Sequence, residues 1–203
     1  MFKITNEALT FLKQKDPYMK ALITHVDTPY EPTYSDPFEA LVVIITGQQI
    51  SEKAAASIVE RLKKTYPPLT PSTIKALSVH QLKSVGLSNA KANTILRIAN
   101  LDELDHLKTY SKSNVEKTLL NVKGIGPWSV EMFHFMCLKD PDILSLGDIA
   151  VVNGIKRLYG VNDEKVKTFQ TYFSPYGSTA AAYLWKLLEV DEATLKKIKE
   201  DVE

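Results

Sequence analysis

Apolar residues recur along this chain at three- and four-residue spacing, the period of a helix face, and seldom alternate as they would in a strand. In SEKAAASIVERLKKTY, Ala55, Ile58, Val59 and Leu62 share such a face, between the capping residue Ser51 and the helix-ending Pro67-Pro68. Asp16-Pro17, Asp36-Pro37 and Thr70-Pro71 each place a capping side chain before a proline, an order that suits a first helical turn. Ser113 with Glu116 reads as a capping box ahead of Leu119 and Leu120. Further helices are predicted at 88–100, 128–138, 150–160, 163–173, 179–190 and 191–202. One run departs from the pattern: LVVIIT at 41–46 is continuous and β-branched, as a buried strand would be. It lies between Asp36-Pro37 and the helix opening at Ser51, with no partner strand or hairpin turn, so it reads as a buried helix. The expected fold is all-α, with about ten helices joined by short loops.

Composition narrows the classes of chemistry. At 203 residues and 44% hydrophobic, the chain can bury a core as one domain or as two small lobes sharing a cleft. No apolar run reaches membrane-span length, and MFKITNEALT lacks the layout of a signal peptide, so the expectation is a protein that is not secreted and does not contact a membrane. One cysteine, Cys137, excludes an intrachain disulfide and any four-cysteine metal site, and the four histidines have no ligand spacing; no metal site is expected. Charge is balanced, 25 Lys+Arg against 24 Asp+Glu, so binding to nucleic acid would need local clustering of charge or backbone amides.

Glycine is sparse, eight in all, yet Gly124 and Gly126 stand two apart in NVKGIGPWSV. A helix ending near Leu120, the turn VKGIG and a helix starting near Pro127 form a helix–hairpin–helix at about 115–137. The pattern reads either as a tight αα-turn or as an anion site made of exposed amides, with Lys123 adding charge at the tip. An apolar frame of Leu119, Leu120, Val122, Ile125 and Val130 would lock the hairpin.

LLNVKGIGPWSVEMF, followed by DPDILSLGDIAVVNGIKRLYG, resembles the helix–hairpin–helix superfamily of base-excision DNA glycosylases, in its 3-methyladenine DNA glycosylase II branch for alkylation repair. GQQIS within DPFEALVVIITGQQISEKAAASI, and SPYGSTAAAYLWK, are similar to further segments of that family in matching order, so that the resemblance spans roughly 36–190. It implies two helical lobes with a cleft between them. Residues 36–140 carry the hairpin, and 1–35 with 141–203 form the second lobe, with a catalytic aspartate at the cleft.

The resemblance also assigns residues. Asp148, which by position alone caps a helix, corresponds to the carboxylate that stabilises the oxocarbenium-like sugar and orients water. Trp128, Met132 and Tyr176 correspond to the pocket for an extruded cationic purine, although relatives often carry Trp at the Tyr176 position and some carry an aromatic at Met132. A core wedge between helices is the other reading of Trp128, and Trp185 reads as core. Gln49 corresponds to the residue that fills the gap left by the flipped base, with Gln48 shaping the loop. Ser51, Lys123, Gly124, Gly126 and Ser129 complete the expected DNA contacts. Without the family match, Gln48 and Gln49 would read as a polar loop.

Bifunctional relatives place a Schiff-base lysine where Trp128 stands, so the implied enzyme is a monofunctional DNA glycosylase for alkylated purines, without lyase activity. It requires no cofactor; a monovalent cation at the hairpin, bridging to a DNA phosphate, is the one optional ion. Its partner is double-stranded DNA containing damaged bases, bound by a monomer, in the cytoplasm of a prokaryote or the nucleus of a eukaryote. Two other readings stay open: a related glycosylase for another lesion, such as oxidised guanine or uracil, and a non-catalytic helix–hairpin–helix module that binds damaged DNA.

Overall fold

The structure is a computed structural model and describes residues 3–29 and 33–202; Met1 and Phe2 of the N-terminal segment thus lie outside the described residues. Among these residues all regular structure is helical, with no strand. The α-helices in chain order are α1 (Asn6–Lys15), α2 (Pro17–His25), α3 (Pro37–Gly47), α4 (Glu52–Thr65), α5 (Pro71–Lys75), α6 (Val79–Ser84), α7 (Asn89–Ala99), α8 (Lys112–Leu120), α9 (Pro127–Phe133), α10 (Ile149–Tyr159), α11 (Asp163–Val166), α12 (Gly177–Leu187) and α13 (Glu192–Glu200). That is thirteen among the described residues, more than the about ten expected, because short helices such as α5 and α6 escape a periodicity reading. The chain divides into two compact units, Thr33–Leu138 and Met1–Pro32 with Lys139–Glu203.

In the Thr33–Leu138 unit, LVVIIT is helical. It forms the body of α3, where Phe38, Ala40, Leu41, Val42, Ile44, Ile45 and Thr46 are all buried. A helix apolar nearly all round is stable only when covered on most sides, and α4, α7 and α9 pack against this one. The caps at Asp36, Ser51 and Thr70 form as expected, each accepting from the amide three residues on. The capping box at Ser113 and Glu116 does not form: α8 begins earlier, and Ser111 Oγ accepts from the Asn114 amide at 3.4 Å. A reciprocal capping box forms instead at the start of α6, between Ser78 and Gln81.

The other unit is built around α10 and α12, with α2, α1 and α13 alongside. Its core includes Leu12, Met19, Leu22, Val151, Ile155, Leu158, Phe173, Tyr183, Leu184 and Leu187, and Trp185 packs against it partly buried. Gly154 sets the α10–α12 separation: a Cβ there would lie 2.6 Å from the Leu184 carbonyl oxygen, so the backbones approach more closely than any side chain permits. Arg157 closes the same interface by donating to the carbonyls of Leu187 (2.6 Å), the last residue of α12, and of Val190 (2.8 Å) beyond it. The predicted helix at 163–173 shortens to one turn of α11, a 3₁₀ turn over Lys167–Phe169 and then turns, which lets Phe169 and Phe173 both reach the core.

Asp16, which caps α2 through the Met19 amide (2.7 Å), is buried and also accepts from the hydroxyls of Tyr159 (2.9 Å) and Tyr172 (3.1 Å). Burial, reinforced by this carboxylate, pushes the Tyr159 hydroxyl well above its ordinary pKa. Replacing Asp16 with Ala leaves two hydroxyls and an amide without their acceptor. It is expected to lower stability by about 2–3 kcal/mol, read as a reduced urea midpoint at unchanged m-value.

Candidate functional site

Asp148 immediately precedes α10, with extended backbone (φ −89°, ψ 113°), and its Oδ1 accepts from the amides of Ala150 (2.8 Å) and Val151 (3.3 Å). Two amides fix the carboxylate's position relative to the helix axis. The helix start is open: Gly147 is exposed, and Ile149 is 71% exposed. The segment leading there is fastened to the start of α12. Asp142 accepts from the Gly177 amide (3.0 Å) and Ser174 Oγ (2.6 Å), while Ser178 Oγ accepts from the Ile143 amide and donates to the Asp140 carbonyl. Tyr176, just before α12, is half-buried with its ring edge-on to Phe11 at 5.2 Å. A hydrogen bond from its hydroxyl to the Glu7 carboxylate, with some burial, pushes its pKa up. Asp142, Phe11 and Glu7 carry no local signal that would have marked them; only the tertiary fold brings Phe11 and Glu7 to Tyr176 and Asp142 to Gly177.

The hairpin lies in the other unit. Leu119, Val122, Ile125 and Val130 are buried and frame it as expected, but Leu120 is 47% exposed and takes no part, because α8 turns that position outward. The two glycines have different duties. Gly124 has φ +106°, and a Cβ there would lie 1.9 Å from Thr94 Oγ1, so both conformation and space demand glycine. Gly126 has an ordinary extended φ of −114° and nothing within 4 Å of a Cβ, so its backbone faces open space ahead of α9. Lys123 is exposed at the tip, and its carbonyl accepts from Thr94 Oγ1 and Arg97 Nη1, both at 3.3 Å. Trp128, in the first turn of α9, is half-buried; Met132 is buried four residues on, so the two share a face of the helix.

The loop from Gln48 to Ile50 joins α3 to α4. Gln48 Nε2 donates to Ser129 Oγ (2.9 Å) and to the Gly124 carbonyl (3.2 Å), which brings the loop and the hairpin together. Ser129 is buried beneath this bond. Gln49 is exposed in the left-handed region at φ +58°, with Ile50 partly exposed beside it and Ser51 capping α4. Lys91 donates from Nζ to the carbonyls of Thr46 (2.7 Å) and Gln48 (2.6 Å), a contact the sequence did not suggest. Among the described residues there is no group of three or more His, Cys, Asp or Glu side chains able to hold a metal ion, and no helix long and apolar enough to cross a membrane.

An all-helical chain with a glycine hairpin opening α9 and an aspartate heading α10 defines a class of DNA-repair fold. The chain belongs to the HhH-GPD superfamily of base excision DNA repair proteins, whose profile matches residues 42–177. Among its relatives is the DNA-3-methyladenine glycosylase 1 of Schizosaccharomyces pombe, 27% identical over 184 residues that cover 81% of this chain and 80% of that one. The S. pombe 3-methyladenine DNA glycosylase in complex with abasic DNA shares the fold at a TM-score of 0.84 and 24% identity, covering 91% of this chain and 98% of that one. The DNA-3-methyladenine glycosidase of Bacillus halodurans is similar at a TM-score of 0.72 and 30% identity, covering 90% and 88%.

Proposed function

We propose that the chain is a monofunctional DNA glycosylase. It hydrolyses the N-glycosidic bond of alkylated purines, of the 3-methyladenine and 7-methylguanine type, once they are extruded from double-stranded DNA. The observation that carries this reading is Asp148: in a chain of this family, with relatives named for 3-methyladenine removal, a carboxylate is held by two amides at an open helix start.

The chemistry follows from the residues. As the bond between the sugar C1′ and the base nitrogen breaks, its electron pair leaves with the base and positive charge develops at C1′. The Asp148 carboxylate stabilises that charge and orients a water, whose oxygen bonds C1′ while its proton is released. An alkylated purine is itself cationic, so it departs without a strong general acid. On α9 the half-buried Trp128, backed by the buried Met132, is an aromatic candidate for stacking on such a base; in the other unit Tyr176, its ring braced by Phe11 and Glu7, is a second. Gln49 fills the gap in the duplex. Lys123, Ser51 and the open backbone at Gly126 hold the DNA strand, while Ser129, expected from the sequence as a DNA contact, is buried under Gln48 and serves to anchor the loop to the hairpin.

Trp128 stands where a Schiff-base amine would be needed, so the product is an intact strand with an abasic site. A monovalent cation would take hairpin carbonyls as ligands. Those of Lys123 and Gly124 also accept from Thr94, Arg97 and Gln48, and the hydrolysis itself requires no ion. The enzyme acts as a monomer, wherever the cell keeps its DNA. A duplex carrying a single alkylated purine tests the reading: strand breaks are expected after hot alkali and not before it. Breaks without alkali would show lyase action, and none under either condition would remove the glycosylase.

A further inference from the structure

Gln49 poses a structural problem. A glutamine at φ +58° sits in a region unfavourable to any residue with a Cβ, and the surrounding structure must hold it there. The carbonyls at the end of α3 have no helical partners of their own. Lys91, in the first turn of α7, answers both needs. Its ammonium bridges the carbonyls of Thr46 and Gln48 at 2.7 and 2.6 Å, directly before Gln49. Bonds of this kind, from a charged donor in a partly buried setting, are among the stronger ones a protein makes. Burial lowers the lysine's pKa, as expected of an ammonium turned inward to backbone oxygens.

The same helix face carries Thr94 and Arg97, which bond the Lys123 carbonyl at the hairpin tip. Residues 91, 94 and 97 follow one another at three-residue spacing, so α7 is a strut with the Gln49 loop at one end and the hairpin at the other. Gln48 closes the frame by linking the loop to Gly124 and Ser129.

We propose that Lys91 is a positioning residue for duplex extrusion: it locks the loop backbone so that Gln49 is already set to occupy the space a flipped base leaves, and it does not itself contact DNA. The inference rests on the glycosylase reading above. Its consequence is specific to paired DNA, because a single strand has no gap to fill. Loss of the lock misplaces Gln49 without touching Asp148 or the base surroundings.

The test is single-turnover base release by Lys91→Met, which keeps the apolar stem and removes the donors, on the same alkylated sequence as duplex and as single strand. The expected result is a loss of about tenfold or more on duplex, with the single-strand rate held within about twofold and the salt dependence of binding unchanged. Lys91→Arg, which keeps a cationic donor, is expected to recover part of the duplex rate. Combined with Gln49→Ala, Lys91→Met should add little further loss, because the lysine acts through that side chain. Equal losses on duplex and single strand, or a salt slope reduced by about 0.9 as for a phosphate contact, would overturn the proposal. So would full additivity with Gln49→Ala. Failure of the wild type to release base from either substrate would instead strike the glycosylase reading, so the two failures are distinguishable.

Discussion

Asp148→Asn is expected to lower base release from alkylated duplex DNA by at least about a hundredfold, the scale of removing one electrostatic contact to a developing charge, while the protein remains folded. The second half of that expectation gives the substitution its force. Asp148 is the cap of α10, and its Oδ1 holds the amides of Ala150 and Val151. Asparagine caps a helix start about as well as aspartate, and its carbonyl oxygen can take the same two amides. A purely capping Asp148 would therefore tolerate the change with activity and melting temperature nearly intact. A catalytic Asp148 loses the negative charge that faces C1′ and keeps the helix. Asp148→Ala removes both roles and should add about 1 kcal/mol of destabilisation, so the pair of variants separates the contributions. Circular dichroism and thermal melting alongside single-turnover kinetics read them out.

The second large effect is expected at the hairpin. Gly124→Ala puts a Cβ on a residue at φ +106° and drives it to within 1.9 Å of Thr94 Oγ1 and 2.9 Å of Thr94 Cγ2. Thr94 is buried and hydrogen-bonded to the carbonyls of Ala90 and Lys123, so it has little freedom to yield. The combined conformational and packing cost is about 2–4 kcal/mol, and the hairpin tip must move away from α7. The Gln48 bond to the Gly124 carbonyl is then lost as well, so DNA affinity should fall along with stability. Gly126→Ala is the control. Its new Cβ meets nothing and its φ of −114° suits any residue, so stability should hold. Any loss of DNA affinity there reports DNA approaching the open backbone. Equal stability losses in the two variants, measured by urea unfolding, would contradict this division of labour.

Much of the local structure was legible in the sequence because it is encoded locally. Asp16, Asp36, Ser51 and Thr70 are caps in both readings, since a short acceptor side chain before a helix start is a property of a few neighbouring residues. The flanks of LVVIIT leave no strand partner and so point to a helix despite its β-branched composition, and burial on nearly every side explains that composition. Ser113 misled because Ser111, two residues earlier, offers an equivalent hydroxyl, and the helix extended to it. Leu120 misled because adjacent apolar residues on a helix point in different directions. The long-range contacts that brace the fold and the candidate site lay beyond sequence reasoning for a different reason. Lys91 meets Thr46 across 45 positions, Tyr172 meets Asp16 across 156, and Gly177 meets Asp142 across 35. Neither partner in these pairs looks unusual alone. The candidate residues themselves became visible only where a family motif supplied their roles, as at Asp148 and Gln49.

The most direct test of the account is chromatography of the bases set free when the protein acts on methylated duplex DNA. Free 3-methyladenine and 7-methylguanine are expected from the wild type, accumulating with repeated turnover, and almost none from Asp148→Asn at matched DNA binding. Tight binding with no free base from the wild type, or undiminished release by Asp148→Asn, would contradict it.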